Sequence, residues 1–122
     1  MNLKILFEDA TLQVVDKPAG IDIEGIQHML PQGFLPAHRL DKDTSGIMVV
    51  AKTDLAHLRL ARQFADRTVK KKYLALMWGV PEQRDGTVDA PIGRHPRNRQ
   101  KFSVLESGRS ALTRYGVVEE FD

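Results

Sequence analysis

The sequence predicts an α+β domain, a mostly antiparallel sheet with flanking helices. Short apolar runs recur with hairpin-length connections between them, which favours antiparallel pairing. One stretch, 53–67, instead carries its apolar residues at helical spacing. A length of 122 residues suits a single domain, 1–122, which at this size buries roughly two-thirds of its unfolded surface.

Leu3–Phe7 and Leu12–Val15 are apolar runs separated by Glu8-Asp9-Ala10-Thr11, the pattern of a β-hairpin. Lys17-Pro18-Ala19-Gly20 ends the second strand, since Pro18 has no N–H and Gly20 admits unusual dihedrals. Residues 21–36 hold Gly25, Pro31, Gly33 and Pro36 and read as a loop with a helical turn in it. Ile47–Ala51 is a compact apolar run and is expected as a buried strand. Thr53 or Asp54 caps a helix running to about Arg67, with Leu55, Leu58, Ala61 and Ala65 as its apolar stripe and Leu60 and Phe64 widening it. Lys70–Gly79 alternates as a strand, Lys72, Leu74, Leu76 and Trp78 facing one way, with Trp78 expected in the core. Gly86–Asp89 and Phe102–Leu105 read as short strands around a loop at Pro91–Lys101. Ser107-Gly108 makes a turn, and Ala111–Phe121 forms a last strand that would need a partner beyond the sequence.

With 42% hydrophobic and 28% charged residues, the chain has the balance of a soluble globular protein rather than a disordered one. It has no cysteine, which excludes disulfides and thiolate metal sites and fits a reducing, cytoplasmic setting. Acids at Glu8 and Asp9 break the apolar start too early for a signal peptide, and no run approaches the ~20 residues of a membrane span. The spacings of His28, His38, His57 and His95 match no zinc signature, so no metal is expected, and His57 is expected to face solvent. Residues 1–60 hold 6 Lys/Arg against 8 Asp/Glu, whereas residues 61–122 hold 12 against 8. Arg94, Arg97, Arg99 and Lys101 lie together without an acid between them. Such a cluster attracts phosphates, and equally it makes a plain solvated loop.

The densest polar segment is His38-Arg39-Leu40-Asp41-Lys42-Asp43-Thr44-Ser45-Gly46, directly before a buried strand. Loops beside rigid strands are where catalytic groups concentrate. Asp41 is flanked by Arg39 and Lys42, and positive charge favours an ionised carboxylate, which serves as nucleophile or base. The same residues also suit a turn in which Asp41 and Thr44 only satisfy backbone donors. A Ser–His–Asp hydrolase finds little support, because Ser45 lacks a nucleophile-elbow pattern. Tyr73, after Lys70, Lys71 and Lys72, sits where an aromatic ring could stack on an RNA base.

These segments together resemble the RluA-type family of RNA pseudouridine synthases. Val14-Val15-Asp16-Lys17-Pro18-Ala19-Gly20 looks like that family's first motif, and His38–Gly46 is similar at every fixed position to its His-Arg-Leu-Asp-x-x-Thr-Ser-Gly signature. Lys71-Lys72-Tyr73-Leu74-Ala75 resembles the third motif, and Ala90–Pro96 is also family-like. The resemblance implies a pseudouridine synthase catalytic domain that isomerises uridine to pseudouridine in rRNA or tRNA without a cofactor. It implies Asp41 as the essential carboxylate, attacking the sugar or assisting proton removal from it. By the same resemblance Tyr73 packs on the target uracil, and Arg39 holds the extruded nucleotide or fills its place. His38, Thr44, Ser45 and Gly46 shape the loop around the nucleotide, with Lys72, Arg94, Arg97, Arg99 and Lys101 as phosphate contacts. The family's closing Gly-Arg-Thr-His-Gln-x-Arg motif and an S4-like RNA-binding module are absent, so the chain looks like the N-terminal part of the catalytic domain, truncated at its C-terminus. A non-catalytic RNA-binding remnant of the same fold is the alternative. The oligomeric state is left open, with a monomer as the expectation.

Overall fold

Asp9 sets the first hairpin. Its carboxylate accepts the N–H groups of Thr11 (2.8 Å) and Leu12 (2.9 Å) and the Thr11 hydroxyl (3.0 Å), closing a turn between β1 (Lys4–Glu8) and β2 (Leu12–Lys17). These donors, the backbone bond from Thr11 first, hold the Asp9 carboxyl below its ordinary range. The computed structural model describes residues 2–121. After β2 follow α1 (Ile23–Met29), β3 (Leu35–Pro36), β4 (Gly46–Ala51) and α2 (Asp54–Ala65). Further on come β5 (Asp85–Asp89), β6 (Ile92–Arg94), β7 (Phe102–Val104) and β8 (Leu112–Gly116). Every pairing between these strands is antiparallel, as expected, but the strands form three sheets: β1-β2-β4-β3, β5-β8 and β6-β7. The described residues divide into two compact units, 2–73 and 74–121.

In the first unit the alternation of β2 decides the core. Gln13, Val15 and Lys17 turn inward and are buried, opposite Val50, Met48 and Gly46 of β4. Val15, Met48 and Val50 join Ile26 of α1 and Leu40 in one apolar cluster, with Leu3, Ile21, Ile23, Leu30 and Phe34 packed around it. Two elements here differ from the sequence expectation. The stretch read as loop, 21–36, contains α1, capped by Asp22, whose side chain accepts the Gly25 N–H at 2.9 Å. Helix α2 is capped by Thr53 as predicted, but Leu55 and Leu58 of the expected stripe point outward. The less exposed face is His57, Leu60, Ala61 and Phe64, so His57 does not face solvent freely. Both stripes have helical spacing, and the less exposed one carries Phe64, whose ring stacks on His38.

The strand expected at Lys70–Gly79 does not form. Its alternation is present, but among the described residues no strand pairs with it, and a strand without a partner leaves its backbone groups unbonded. Trp78, expected in the core, is 99% exposed, and Leu74 and Leu76 are each 87% exposed. In the second unit, β5 and β8 pair from Asp85↔Gly116 to Asp89↔Leu112. Strand β8 is thus shorter than the predicted Ala111–Phe121. The region read as a loop, 91–101, supplies β6, which pairs with β7 as a hairpin.

Candidate active site

The polar segment from His38 to Gly46 is held at four backbone or ring positions. Leu40 is buried in the apolar cluster, while Arg39 and Asp41 on either side of it are exposed. The Asp41 carbonyl accepts the Thr44 N–H at 3.0 Å, so Asp41-Lys42-Asp43-Thr44 is a turn. The Lys42 carbonyl points back to β2 and accepts both the Lys17 ammonium (2.9 Å) and the Gly20 N–H (2.8 Å). The Lys17 ammonium also donates to the Pro18 carbonyl at 2.9 Å, and its residue is fully buried. A buried ammonium needs such partners, because an isolated charge in an apolar setting is very costly. Gly20 and Gly46 have φ of +93° and +131°, a region L side chains rarely adopt. The first lets the chain fold back onto the Lys42 carbonyl, and the second lets it turn from the loop into β4.

His38 extends the sheet with its side chain. Strand β3 pairs with β4 only at Leu35↔Ala51 and Pro36↔Val50. The Ala37 N–H then donates to the Val49 carbonyl (2.9 Å), and the Val49 N–H donates to His38 Nε2 (3.0 Å). The imidazole stacks on Phe64 of α2 with ring centroids 4.3 Å apart. Burial, and secondarily the charge of Lys71, hold its pKa below the ordinary 6.5. A neutral ring with Nε2 as acceptor is what the Val49 bond requires.

Asp41 itself makes no ion pair among the described residues; the expected flanking cations Arg39 and Lys42 do not close on it. Its carboxylate is exposed on a turn whose backbone is fixed, next to Thr44, which is partly buried, and Ser45, which is exposed. Tyr73 ends the first unit, 58% exposed, with Lys72 beside it and also exposed. Two hollows adjoin the loop. One, of about 400 Å³, has Ser45, Lys17, Pro18, Asp16 and Lys4 on its walls. The other, of about 360 Å³, lies by Arg39 and is lined from α1, β3 and α2. Among the described residues no group of three or more His, Asp or Glu gathers as metal ligands would.

Arg94, Arg97, Arg99 and Lys101 all belong to the second unit, at the tip of the β6–β7 hairpin. His95 organises the tip: its Nδ1 accepts the N–H groups of Arg97 (3.1 Å) and Asn98 (3.0 Å). The Arg94 guanidinium lies 4.5 Å from the Phe102 ring centroid and donates to the Arg99 carbonyl at 3.0 Å. Arg97, Arg99 and Lys101 are exposed. Lys17, His57 and His95 were not singled out as site residues from sequence. A signal for Lys17 was present, since it shares the inward parity of Gln13 and Val15 in β2.

A family model described as RNA pseudouridylate synthase matches residues 11–121. The chain belongs to this RNA pseudouridylate synthase family. It is 46% identical, over 98% of its length, to ribosomal large subunit pseudouridine synthase D of Nitrosomonas europaea, of which it covers 39%. It is 38% identical to an uncharacterized RNA pseudouridine synthase of Bacillus subtilis, over 99% of this chain and 46% of the relative. Among solved structures, human RNA pseudouridylate synthase domain containing 1 superposes with a TM-score of 0.80 at 30% identity, over 93% of this chain and 51% of that one. The chain therefore spans less than half the length of these curated relatives. Among the described residues no helix is long and apolar enough to cross a membrane.

Proposed function

We propose that this protein isomerises specific uridines to pseudouridine in structured RNA, with Asp41 as the essential carboxylate. The observation that carries the reading is the Asp41 turn, whose backbone is fixed by Leu40 and Lys17 while its carboxylate stays unpaired and exposed. A fixed backbone limits where the carboxylate can reach, and positioning of a reacting group lowers a barrier. The reaction conserves atoms. The N1–C1′ bond breaks, the base turns in place, C5 bonds to C1′, a proton leaves C5 and one is taken up at N1. It needs no redox step, so no cofactor is required. Asp41 serves either as nucleophile at the sugar or as the base that removes a sugar proton.

A stacked uridine is out of reach of such a group, so the target must be extruded. Tyr73 packs on the uracil, Arg39 holds the extruded nucleotide, and Thr44, Ser45 and Gly46 shape the pocket rim. His38 contributes by holding the segment that presents Arg39. Lys72, Arg97, Arg99 and Lys101 contact phosphates, with Arg94 and His95 pinning the hairpin tip. Large-subunit ribosomal RNA is the favoured substrate, since relatives named for that substrate are among the most similar, and tRNA is the runner-up. The protein acts as a cytoplasmic monomer in this reading.

The test is chemical mapping of pseudouridine in RNA after incubation with the protein and with Asp41→Ala. Modification by the first and a loss of at least about 10³-fold in the second is expected, given the scale of removing a group central to covalent or base catalysis. Equal activity in the two ends the assignment of Asp41. Salt-dependent RNA binding without any isomerisation would instead support a non-catalytic RNA-binding remnant.

A further inference from the structure

We propose that the hollow beside Arg39 is a binding subsite for one unpaired nucleotide flanking the target uridine, with Gln27 reading the edge of its base. The inference rests on the function proposed above and adds a recognition site to it. The hollow lies wholly within the first unit, between α1, the β3 segment and α2. It is a shallow depression of about 360 Å³, open to solvent, that would leave one side of a bound nucleotide uncovered.

The chemistry of the walls is specific. Ile23, Leu35 and Pro36 offer apolar surface, and Gln27, Arg39 and His57 bring polar groups to the same space. No acidic side chain lines it. Flat apolar surface suits the face of a nucleobase, an amide offers both a donor and an acceptor to its edge, and a guanidinium suits the adjoining phosphate. An anion alone would leave the apolar walls unused, and an apolar ligand would leave the polar groups of Gln27, Arg39 and His57 unused. A nucleotide uses both. Chain proximity supports the flanking role: Arg39, on the wall of the hollow, is two residues from Asp41.

His57 has its own reason to be there. It stands on the less exposed face of α2, in line with Leu60, Ala61 and Phe64, where a fourth apolar residue would pack equally well. Its partly exposed ring borders the hollow and is available to a ligand there.

The experiment is a titration of the isotope-labelled chain with 5′-AMP, GMP, CMP, UMP and inorganic phosphate, read at the Gln27 side-chain amide and the His57 ring. At least one nucleotide should shift both signals to saturation, and phosphate alone should not. Gln27→Ala, a change at an exposed position, should weaken that binding roughly tenfold, the scale of one lost edge contact. In the RNA assay, changing the base next to the target should alter kcat/KM for the natural protein and leave Gln27→Ala indifferent. Nucleotides that shift neither signal overturn the subsite whatever the activity, and a full response to phosphate alone reduces it to an anion site. Absence of pseudouridine, by contrast, strikes the proposed function and leaves the titration to decide the subsite.

Discussion

Replacing Lys17 by methionine tests whether the Asp41 turn is held from below. Methionine keeps most of the length and removes the ammonium, which donates at 2.9 Å to the carbonyls of both Pro18 and Lys42. The Lys42 carbonyl retains the Gly20 N–H at 2.8 Å, whereas the Pro18 carbonyl loses its Lys17 donor. Two opposing effects follow. Bonds to a charged donor contribute about 1.5–3 kcal/mol each, so losing both weakens the turn by roughly 3 kcal/mol or more. Against that, methionine need not be stripped of a hydration shell, a relief of several kcal/mol for a buried ion, and no charge is left stranded. Global stability should therefore change by less than about 2 kcal/mol, while the turn alone loosens. Amide exchange separates the two. The Gly20 N–H, bonded to the Lys42 carbonyl, and the Thr44 N–H, bonded to that of Asp41, should exchange on the order of 100-fold faster in the variant. Amides of Val15 and Val50 should track the small global change. If Gly20 and Thr44 exchange within about threefold of the natural protein, Lys17 merely fills the core and the reasoning fails.

Three further outcomes follow from the same frame. Because His38 titrates below its ordinary 6.5 when folded, the unfolded chain takes up that proton first as pH falls. Its contribution to stability is full above pH 6.5 and is lost as pH drops through the folded value, and urea unfolding between pH 5 and 7.5 should show a slope that His38→Phe diminishes. At Gly46 nothing lies within 4 Å of an added Cβ, so Gly46→Ala should cost only the strain of its φ of +131°, roughly 1–3 kcal/mol by thermal melting. On the proposed RNA role, Arg97→Ala should lower the slope of log affinity against log salt by about 0.7–0.9, while circular dichroism stays unchanged.

What the sequence disclosed of the fold depended on whether a local pattern had a single physical solution. Asp9 and Thr53 each met the neighbouring N–H their type suggests, because turns and caps are satisfied within a few residues. In α2 two apolar stripes compete, and only the folded chain, with Phe64 stacked on His38, shows that Leu60 and Phe64 are the more covered pair and Leu55 and Leu58 the exposed one. At Tyr73–Trp78 the alternation was real, but a strand is a property of two segments, and no partner is present among the described residues. The absence of Pro and Gly from 70–78 therefore said nothing about pairing.

The site divides along the same line. His38–Gly46 stood out as a charged cluster before a buried strand, yet charge did not show how the cluster is held. Leu40, the one apolar residue in its first eight positions, is the anchor that enters the core. Lys17 lies 25 residues from Lys42, and only the antiparallel register that sets Lys17 against Gly46 brings the two together. These anchors act on backbone or on Leu40, His38 and Lys17, and none touches the Asp41 carboxylate. A group meant only to close a turn would spend that carboxylate on backbone donors, as Asp9 does in the first hairpin. Asp41 uses its carbonyl for the turn and keeps its carboxylate out of it, as the role proposed for that carboxylate requires.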